Sequence, residues 1–311
     1  MTAYVLRRLL GLFPVLVAAI ILTFAANRFV PGDPITIMLG DQGGNVVLER
    51  KLRAEYGLDR PVSVQFVDYV SGLARGDFGL SFRYPGVPVT QVIKDALWIS
   101  PLLAAAALTL AIPIGIALGV LAALRRNTLA DTGIILILVA GLSIPNFALA
   151  AFFVWGFALK LGWFPVAGWT TWKHAVLPVV ILAIPAAAYL ARLARTFMLE
   201  VLQQDYVRTA RAKGLSERLV VWRHSLRNVL VPILTVCGLI FGGLITGTIV
   251  VETIFNIPGL GRIAIESIFA RDYPVTMAIV MLFTLFYAVI NFAVDVLYGL
   301  VDPRIRVEAV R

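Results

Sequence analysis

Side chains that could do chemistry are few and scattered along this chain of 311 residues. Its two histidines are His174 and His224, and its one cysteine, Cys237, rules out an intrachain disulfide. A metal site needs several ligands that converge on one ion. An enzyme working inside a membrane would need Asp, Glu, His, Ser or Cys clustered on facing helices. The spacing favours neither kind of site, so we expect no catalytic residue and no metal bound by this chain.

The elements that carry these residues are long apolar blocks. Apolar residues make up 60% of the chain and charged residues 14%, with a mean hydropathy of +0.89, whereas soluble domains are about 25% charged. A soluble enzyme, a disordered tail and a disulfide scaffold are therefore excluded. A spanning helix needs about 20 residues, and six blocks qualify: 9–29, 97–124, 132–159, 175–197, 229–251 and 275–300.

The first block has an alternative interpretation. It follows Arg7 and Arg8 and contains the small residues Ala25 and Ala26, as a signal peptide would. Its apolar run is longer than the usual signal-peptide region of about 7–15 residues, which favours a membrane span.

The basic residues predict the orientation of six spans, whose termini share one side of the membrane. That side would hold Arg7, Arg8, Arg125, Arg126, eight basic residues within 192–227 and three after residue 303. The short loops on the other side hold four. Because cytoplasmic loops are enriched in Lys and Arg, we expect both termini in the cytoplasm. The net charge of +9 then reflects orientation and does not predict a nucleic-acid partner.

Four polar side chains fall in or at the ends of the spans and are candidates for a translocation pathway. Asn146 follows Pro145 and could line a water-filled path or repair a kink. Asn291 and Asp295, at i and i+4, could contact substrate or join a hydrogen-bond network between helices. Glu252 could meet a cationic substrate group or be a solvated or paired structural residue.

The fifth span carries two interleaved pairs of glycines four residues apart. Glycines at this spacing let another helix approach closely in a membrane, in this chain or in a partner subunit. We therefore predict helix packing at Gly238, Gly242, Gly243 and Gly247.

The long segment between the first and second spans contains two predicted short helices. The first runs near 46–56 and stops at Gly57; the second starts at Pro61 and has apolar residues at helical spacing before Gly76. These helices could form a cap on the bundle or a docking surface for an external partner.

About thirty residues, 198–228, separate the fourth and fifth spans, far more than a helix hairpin needs. Asp205 comes early, Arg211 late, and Gly214 stands where a C-terminal cap would. Ser216 could cap a second helix that runs to Asn228. The spacing predicts a helix, a glycine turn and a helix, an element suited to docking in a groove of a cytoplasmic partner.

This segment resembles the EAA loop in permease subunits of ATP-binding-cassette (ABC) importers of the peptide and nickel type, the B-type dipeptide and oligopeptide permeases. Arg208 and Thr209 replace the first two residues of the Glu-Ala-Ala pattern, while Ala210 and Gly214 are kept. The predicted ATPase-coupling residues are Asp205, Tyr206, Arg208, Thr209, Ala210, Arg211, Ala212, Lys213, Gly214 and Leu215.

The same resemblance covers nearly the whole chain. Further matching stretches are 31–34, 76–81, 224–228, Pro232, 251–261 and 302–306. It implies an all-α membrane protein with the type I importer fold, six spans and an external segment between the first two. The implied division is 1–94 for the first span and periplasmic segment, 95–302 for the transmembrane domain, and 303–311 for a cytoplasmic tail.

The resemblance also implies partners: a second, related permease, two cytoplasmic ATPase subunits and an external solute-binding protein. No Gly-Lys pair occurs in the sequence, so it has no Walker A loop, and ATP and Mg²⁺ would be bound by the ATPases. Dipeptides, oligopeptides, glutathione-like peptides and nickel complexes all remain open as cargo. An ATP-independent channel or carrier is a rival function, against which the long cytoplasmic loop argues.

Overall fold

The computed structural model of the chain describes residues 2–29, 32–39 and 45–301. The 302–306 stretch, the 303–311 tail and Pro31 of the 31–34 stretch lie outside the described residues. The described part is helical, with one isolated β-bridge between Leu80 and Pro88. Its α-helices are α1 (Thr2–Phe29), α2 (Pro34–Leu39), α3 (Val46–Glu55), α4 (Val62–Ala74), α5 (Val89–Ile93), α6 (Ile99–Leu124), α7 (Leu129–Ser143), α8 (Asn146–Phe153), α9 (Lys173–Leu202), α10 (Asp205–Ala212), α11 (Glu217–Leu219), α12 (Leu226–Ile254), α13 (Leu260–Phe269) and α14 (Tyr273–Val301).

Two π-helical segments extend these helices. Val154–Lys160 continues α8, and Val220–Ser225 joins α11 to α12. Five helices in the described residues are long and apolar enough to cross a membrane: Leu6–Phe29, Ile99–Leu124, Lys173–Leu202, Glu217–Ile254 and Tyr273–Val296.

The third predicted span is broken. Its two halves, Leu129–Ser143 and Asn146–Lys160, meet at an angle of 103°. The chain at Ile144 is extended because a following proline disfavours helical backbone, and Pro145 then occupies the N-cap of α8. Pro145 therefore separates two helices instead of kinking a single helix within the 132–159 block, so the expectation of one spanning helix there is wrong. Six spans result only if this bent pair is counted as one.

The chain divides into two compact units, of which the first comprises the described parts of 1–9, 100–257 and 287–311. Within it α9 contacts α7, α8 and α12. Small residues such as Ala187, Ala191 and Ala194 fill the buried face of α9, so neighbouring helices approach its backbone closely. The candidate coupling loop, 198–228, belongs to this unit.

The second unit comprises the described parts of 10–99 and 258–286. The two short helices predicted near 46–56 and from Pro61 are confirmed as α3 and α4. A buried carboxylate, Asp272, fixes the 81–83 stretch at the start of α14. Its oxygens accept hydrogen bonds from the Ser81 hydroxyl, from Phe82 N at 3.0 Å and from Arg83 N at 3.2 Å.

Candidate functional site

The candidate coupling loop begins with α10, which has one buried face. Asp205 lies in its first turn and Arg211 in its last, an order that complements the helix dipole. Val207 and Ala210 are buried and pack with Val220, at the start of the π-helical segment. This apolar contact fixes α10 against the helix that leads into the fifth span.

The opposite face of α10 and the turn that follows it are exposed. The side chains of Asp205 and Arg208 are 95% and 71% exposed, and they form an ion pair at 3.4 Å. A solvated pair of this kind contributes little to stability, about 0–1 kcal/mol. Within 205–214, the exposed residues are Asp205, Tyr206, Arg208, Thr209, Arg211, Ala212, Lys213 and Gly214.

Gly214 ends α10 in a left-handed conformation, with φ +77°. Its N–H donates to Arg211 O at 2.9 Å, and Leu215 N–H donates to Ala210 O at 3.3 Å. This pair of bonds is a Schellman motif, which needs a residue with positive φ after the helix. The predicted glycine turn is confirmed.

The second half of the loop differs from the sequence prediction. Ser216 occupies the N-cap position of α11, but its side chain makes no capping hydrogen bond. The helix that starts at Glu217 does not end at Asn228, because the π-helical segment carries it into α12 and on to Ile254. The prediction of a separate second helix is therefore wrong: the loop is joined to the fifth span by one continuous helix.

Two polar contacts connect α10 to that long helix. Arg211 donates from Nη2 and Nε to the two carboxylate oxygens of Glu217, at 2.6 and 3.1 Å. These hydrogen bonds lower the pKa of the Glu217 carboxyl. Asn228 Nδ2 donates to the Tyr206 hydroxyl at 2.7 Å. Both contacts bridge the glycine turn, so α10 and the start of the fifth span are held together.

Two of the candidate pathway residues, Asn146 and Asn291, lie beside different parts of α12. A Cβ built on Gly247 would lie 3.3 Å from Asn146 Nδ2, and one built on Gly238 would lie 2.7 Å from Asn291 Oδ1. Nine residues separate the two glycines, about 13 Å along a helix. Asn146 and Asn291 therefore do not form one cluster.

Asp295 and Glu252 have local surroundings that the sequence did not reveal. Asp295 Oδ2 lies 3.4 Å from Arg8 Nη1, an ion pair between the two ends of the chain. Glu252 is fully buried, so the solvated alternative is wrong, and its carbonyl accepts from Ile257 N at 2.9 Å. Within the described residues no three His, Cys, Asp or Glu side chains group as metal ligands.

The fifth-span glycines face different neighbours. Gly238 and Gly242 lie against Asn291 and Tyr287 of α14, while Gly247 lies against Leu182 of α9 and Asn146. A Cβ on Gly243 would meet nothing within 4 Å among the residues described.

Gly115 and Gly119 on α6 lie close to the backbone of α9, a contact that the sequence interpretation missed although these glycines show the same four-residue spacing. A Cβ on Gly119 would lie 2.4 Å from Ala191 O, and one on Gly115 would lie 2.8 Å from Ala187 O. Helices α6 and α9 therefore meet backbone to backbone.

A second missed feature is the ion pair between Asp131 on α7 and Arg195 on α9. Arg195 donates from Nε and Nη2 to both carboxylate oxygens, at 2.9 and 2.8 Å. Asp131 also accepts from Asn127 N at 3.0 Å. The Asp131 side chain is 5% exposed. This pair fixes α7 to the span that leads into the candidate coupling loop.

Comparisons with known proteins match this architecture over the whole chain. Residues 115–307 match the family described as binding-protein-dependent transport system inner membrane component, and 1–89 match its N-terminal family. The glutathione transport system permease protein GsiC of Escherichia coli (strain K12) is 42% identical over 98% of this chain and 99% of its own length. A candidate peptide transport system permease of Brucella abortus (strain 2308) is 42% identical over 99% of this chain and 100% of its own.

A solved structure supports the fold. The inward-facing MetNI methionine ABC transporter matches 68% of this chain and 97% of its own chain, with a TM-score of 0.57 and 18% identity. The predicted type I importer fold is confirmed, and so is the class of transporter subunit in place of enzyme. The chain belongs to the family of inner-membrane components of binding-protein-dependent transport systems, as a permease subunit of an ABC importer.

Proposed function

We propose that this permease forms half of the translocation pathway of a peptide importer and that α10 docks on a cytoplasmic ATPase subunit. The observation that supports docking best is the exposed polar face of α10 opposite its buried Val207 and Ala210. A helix fixed on one face and solvated on the other is ready to enter a groove. The small Ala212 at its end permits close approach.

The connection to the fifth span supports a coupling role. Contacts of Arg211 with Glu217 and of Tyr206 with Asn228 tie α10 to the continuous helix Glu217–Ile254. A displacement of α10 by closing ATPases would therefore move the fifth span directly, and α9 would move with it. Such rigid-body movement is a known mode of switching. ATP and Mg²⁺ would be bound by the ATPase subunits.

The remaining partners and the orientation follow from the same proposal. A second, related permease would complete the pathway, and a solute-binding protein would deliver the cargo to the outer face. Both termini and 198–228 would be cytoplasmic, while the segment that ends near residue 94 would be periplasmic. The transmembrane domain would comprise 95–302, followed by the 303–311 tail, in a bacterial inner membrane.

The cargo proposed is a short peptide, including glutathione-like peptides. Support comes from the glutathione and peptide permeases that are 42% identical to this chain over almost its full length. Asn146, beside Gly247 at the broken third span, is the proposed pathway residue with the best geometry, since a helix break frees backbone groups for solute or water. Asn291, Glu252 and Asp295 would support the helices that form the path.

Site-directed cross-linking tests the docking step. In a variant with Cys237 replaced by alanine, Thr209→Cys places a thiol on the exposed face of α10, and Arg126→Cys places a control thiol in another loop of the same predicted side. We expect a thiol cross-linker to join position 209, and not position 126, to an ATPase subunit. Equal cross-linking at both positions, or none at 209, would refute docking through α10.

A matched pair of glycine substitutions tests coupling. Gly214 and Gly162 both have positive φ, +77° and +65°, and both have open space at the Cβ position among the described residues. Leucine at either site carries the same backbone strain of about 1–2 kcal/mol. We expect Gly214→Leu to uncouple ATP hydrolysis from peptide uptake in liposomes, while Gly162→Leu leaves them coupled. Coupled uptake by Gly214→Leu would overturn the assignment of the loop.

A further inference from the structure

Helix α4 of the long segment packs on the end of the first span. Phe24 of α1 contacts Phe66 edge to face, with ring centroids 5.2 Å apart, and stacks on Tyr69 at 6.1 Å. Arg28 donates a hydrogen bond to Gln65. Three residues of α4 therefore hold it beside the last two turns of a membrane helix.

The position of Phe24 gives the depth of this contact. Phe24 precedes the end of α1 at Phe29 by five residues, about 7.5 Å along the helix. Helices that lie in the plane of a membrane bury their apolar face about 5–10 Å into the boundary between headgroups and acyl chains. With the end of α1 taken as the end of the membrane span, the contact would lie at the depth of that boundary.

The other face of α4 carries three valines, with Ser63 and Ser71 between them, and none of the described residues covers it. Val64, Val67 and Val70 recur at helical spacing and are 40%, 63% and 36% exposed. None of the thirteen residues of α4, all of which are described, is buried. The single charged residue, Asp68, lies to one side and pairs with Arg60 at 2.9 Å. A helix whose inner and outer faces are both apolar needs an apolar environment on its outer side.

We propose that α4 is an interfacial membrane helix whose valine face (Val64, Val67 and Val70) inserts into the lipid of the leaflet at the outer end of α1. Lipid fits better than a protein partner because the valine face belongs to a helix anchored at bilayer depth. Arg60 and Arg75 lie just beyond the two ends of α4, where their long side chains reach headgroups. Helix α4 then anchors the outer end of the first span at the membrane surface.

Spin-label accessibility tests this placement in the assembled importer. In the Cys237→Ala background, one label is placed at Val67→Cys and a matched one at the adjacent Asp68→Cys, about 100° away around the helix. In lipid nanodiscs, we expect the label at 67 to collide more with dissolved oxygen than with a water-soluble nickel chelate, and the label at 68 to show the reverse. Addition of the solute-binding protein should change neither result.

Two outcomes would overturn the proposal. Equal access of the nickel chelate to positions 67 and 68 would place the valine face in water. Protection of position 67 that develops only when the binding protein is added would make this face a protein-docking surface. If Val67→Cys fails to assemble, Val70→Cys, about 160° around the helix from position 68, supplies the comparison instead.

Discussion

Replacement of Gly119 by alanine should disturb the contact between the second and fourth spans and destabilise the protein more than alanine at Gly242 or Gly243. The added Cβ would lie 2.4 Å from Ala191 O, 2.7 Å from Ala194 Cβ and 3.0 Å from Arg195 N. Ordinary van der Waals contact begins near 3.4 Å. Because two of these neighbours are backbone atoms, no side-chain rotation can relieve the overlap, and α9 must retreat by about 1 Å.

The expected cost follows from two opposing effects. Overpacking of a tight contact typically costs about 1–3 kcal/mol, and the better helix propensity of alanine recovers about 0.5–1 kcal/mol. A net loss of up to about 2.5 kcal/mol should lower the melting temperature of the purified importer by several degrees. The assay is thermal unfolding in detergent, followed by tryptophan fluorescence.

Two glycines of the fifth span give a graded control. Gly243→Ala meets no described atom within 4 Å and should leave the melting temperature unchanged or raised. Gly242→Ala would press on the Tyr287 ring at 2.5 Å, which can rotate away, so its effect should be intermediate. A melting temperature for Gly119→Ala equal to or above that of Gly243→Ala would refute the reasoning from backbone contact.

Three further predictions concern charged and buried polar groups. Asp131→Asn should cost about 3–5 kcal/mol because it leaves the Arg195 guanidinium without its carboxylate, and Asp131→Leu with Arg195→Met should recover much of that loss in the same unfolding assay. Since the pKa of Glu217 is lowered in the folded loop, its pairing with Arg211 should be complete above the ordinary Glu pKa, about 4.3, and be lost as the pH falls through the lowered value. Hydrogen exchange of 205–219, corrected for intrinsic rates, should accelerate only in that acid range, and Glu217→Gln should abolish the transition. Ser225→Ala should leave stability unchanged or higher, because the buried Ser225 hydroxyl has no hydrogen-bond partner among the described residues; a clear drop in melting temperature would contradict this.

Local signals in the sequence predicted the elements that depend on local physics. Gly57 and Gly76 end α3 and α4 as expected, and Gly214 caps α10, because a positive φ is a property of single residues. The apolar blocks predicted five of the crossing helices, because the length and composition of a segment are enough to identify a helix that can span a membrane.

Features that depend on distant residues or on small energy differences were not predictable. A proline that kinks a helix and one that ends it look the same in the local sequence. The 103° break before Asn146 therefore could not be predicted without knowledge of the packing around it. Asp131 and Arg195 are 64 residues apart, and Ser81 and Asp272 are 191 apart. The four-residue spacing of the α6 glycines is visible in the sequence. Because the α12 glycines show the same spacing, spacing alone does not tell which helix is approached more closely.

The π-helical segment Val220–Ser225 joins the candidate coupling loop to the fifth span without a break, so that a change of one residue in the length of the loop would matter. Surface loops usually tolerate insertions and deletions. Here one helix continues from Glu217 to Ile254, and each residue added or removed would turn everything before it by about 100° and shift it by about 1.5 Å. The exposed face of α10 would then point away from the groove in which we propose that it docks, while every side chain of that face stayed unchanged. The function proposed for this loop therefore depends on its exact number of residues as well as on its side chains.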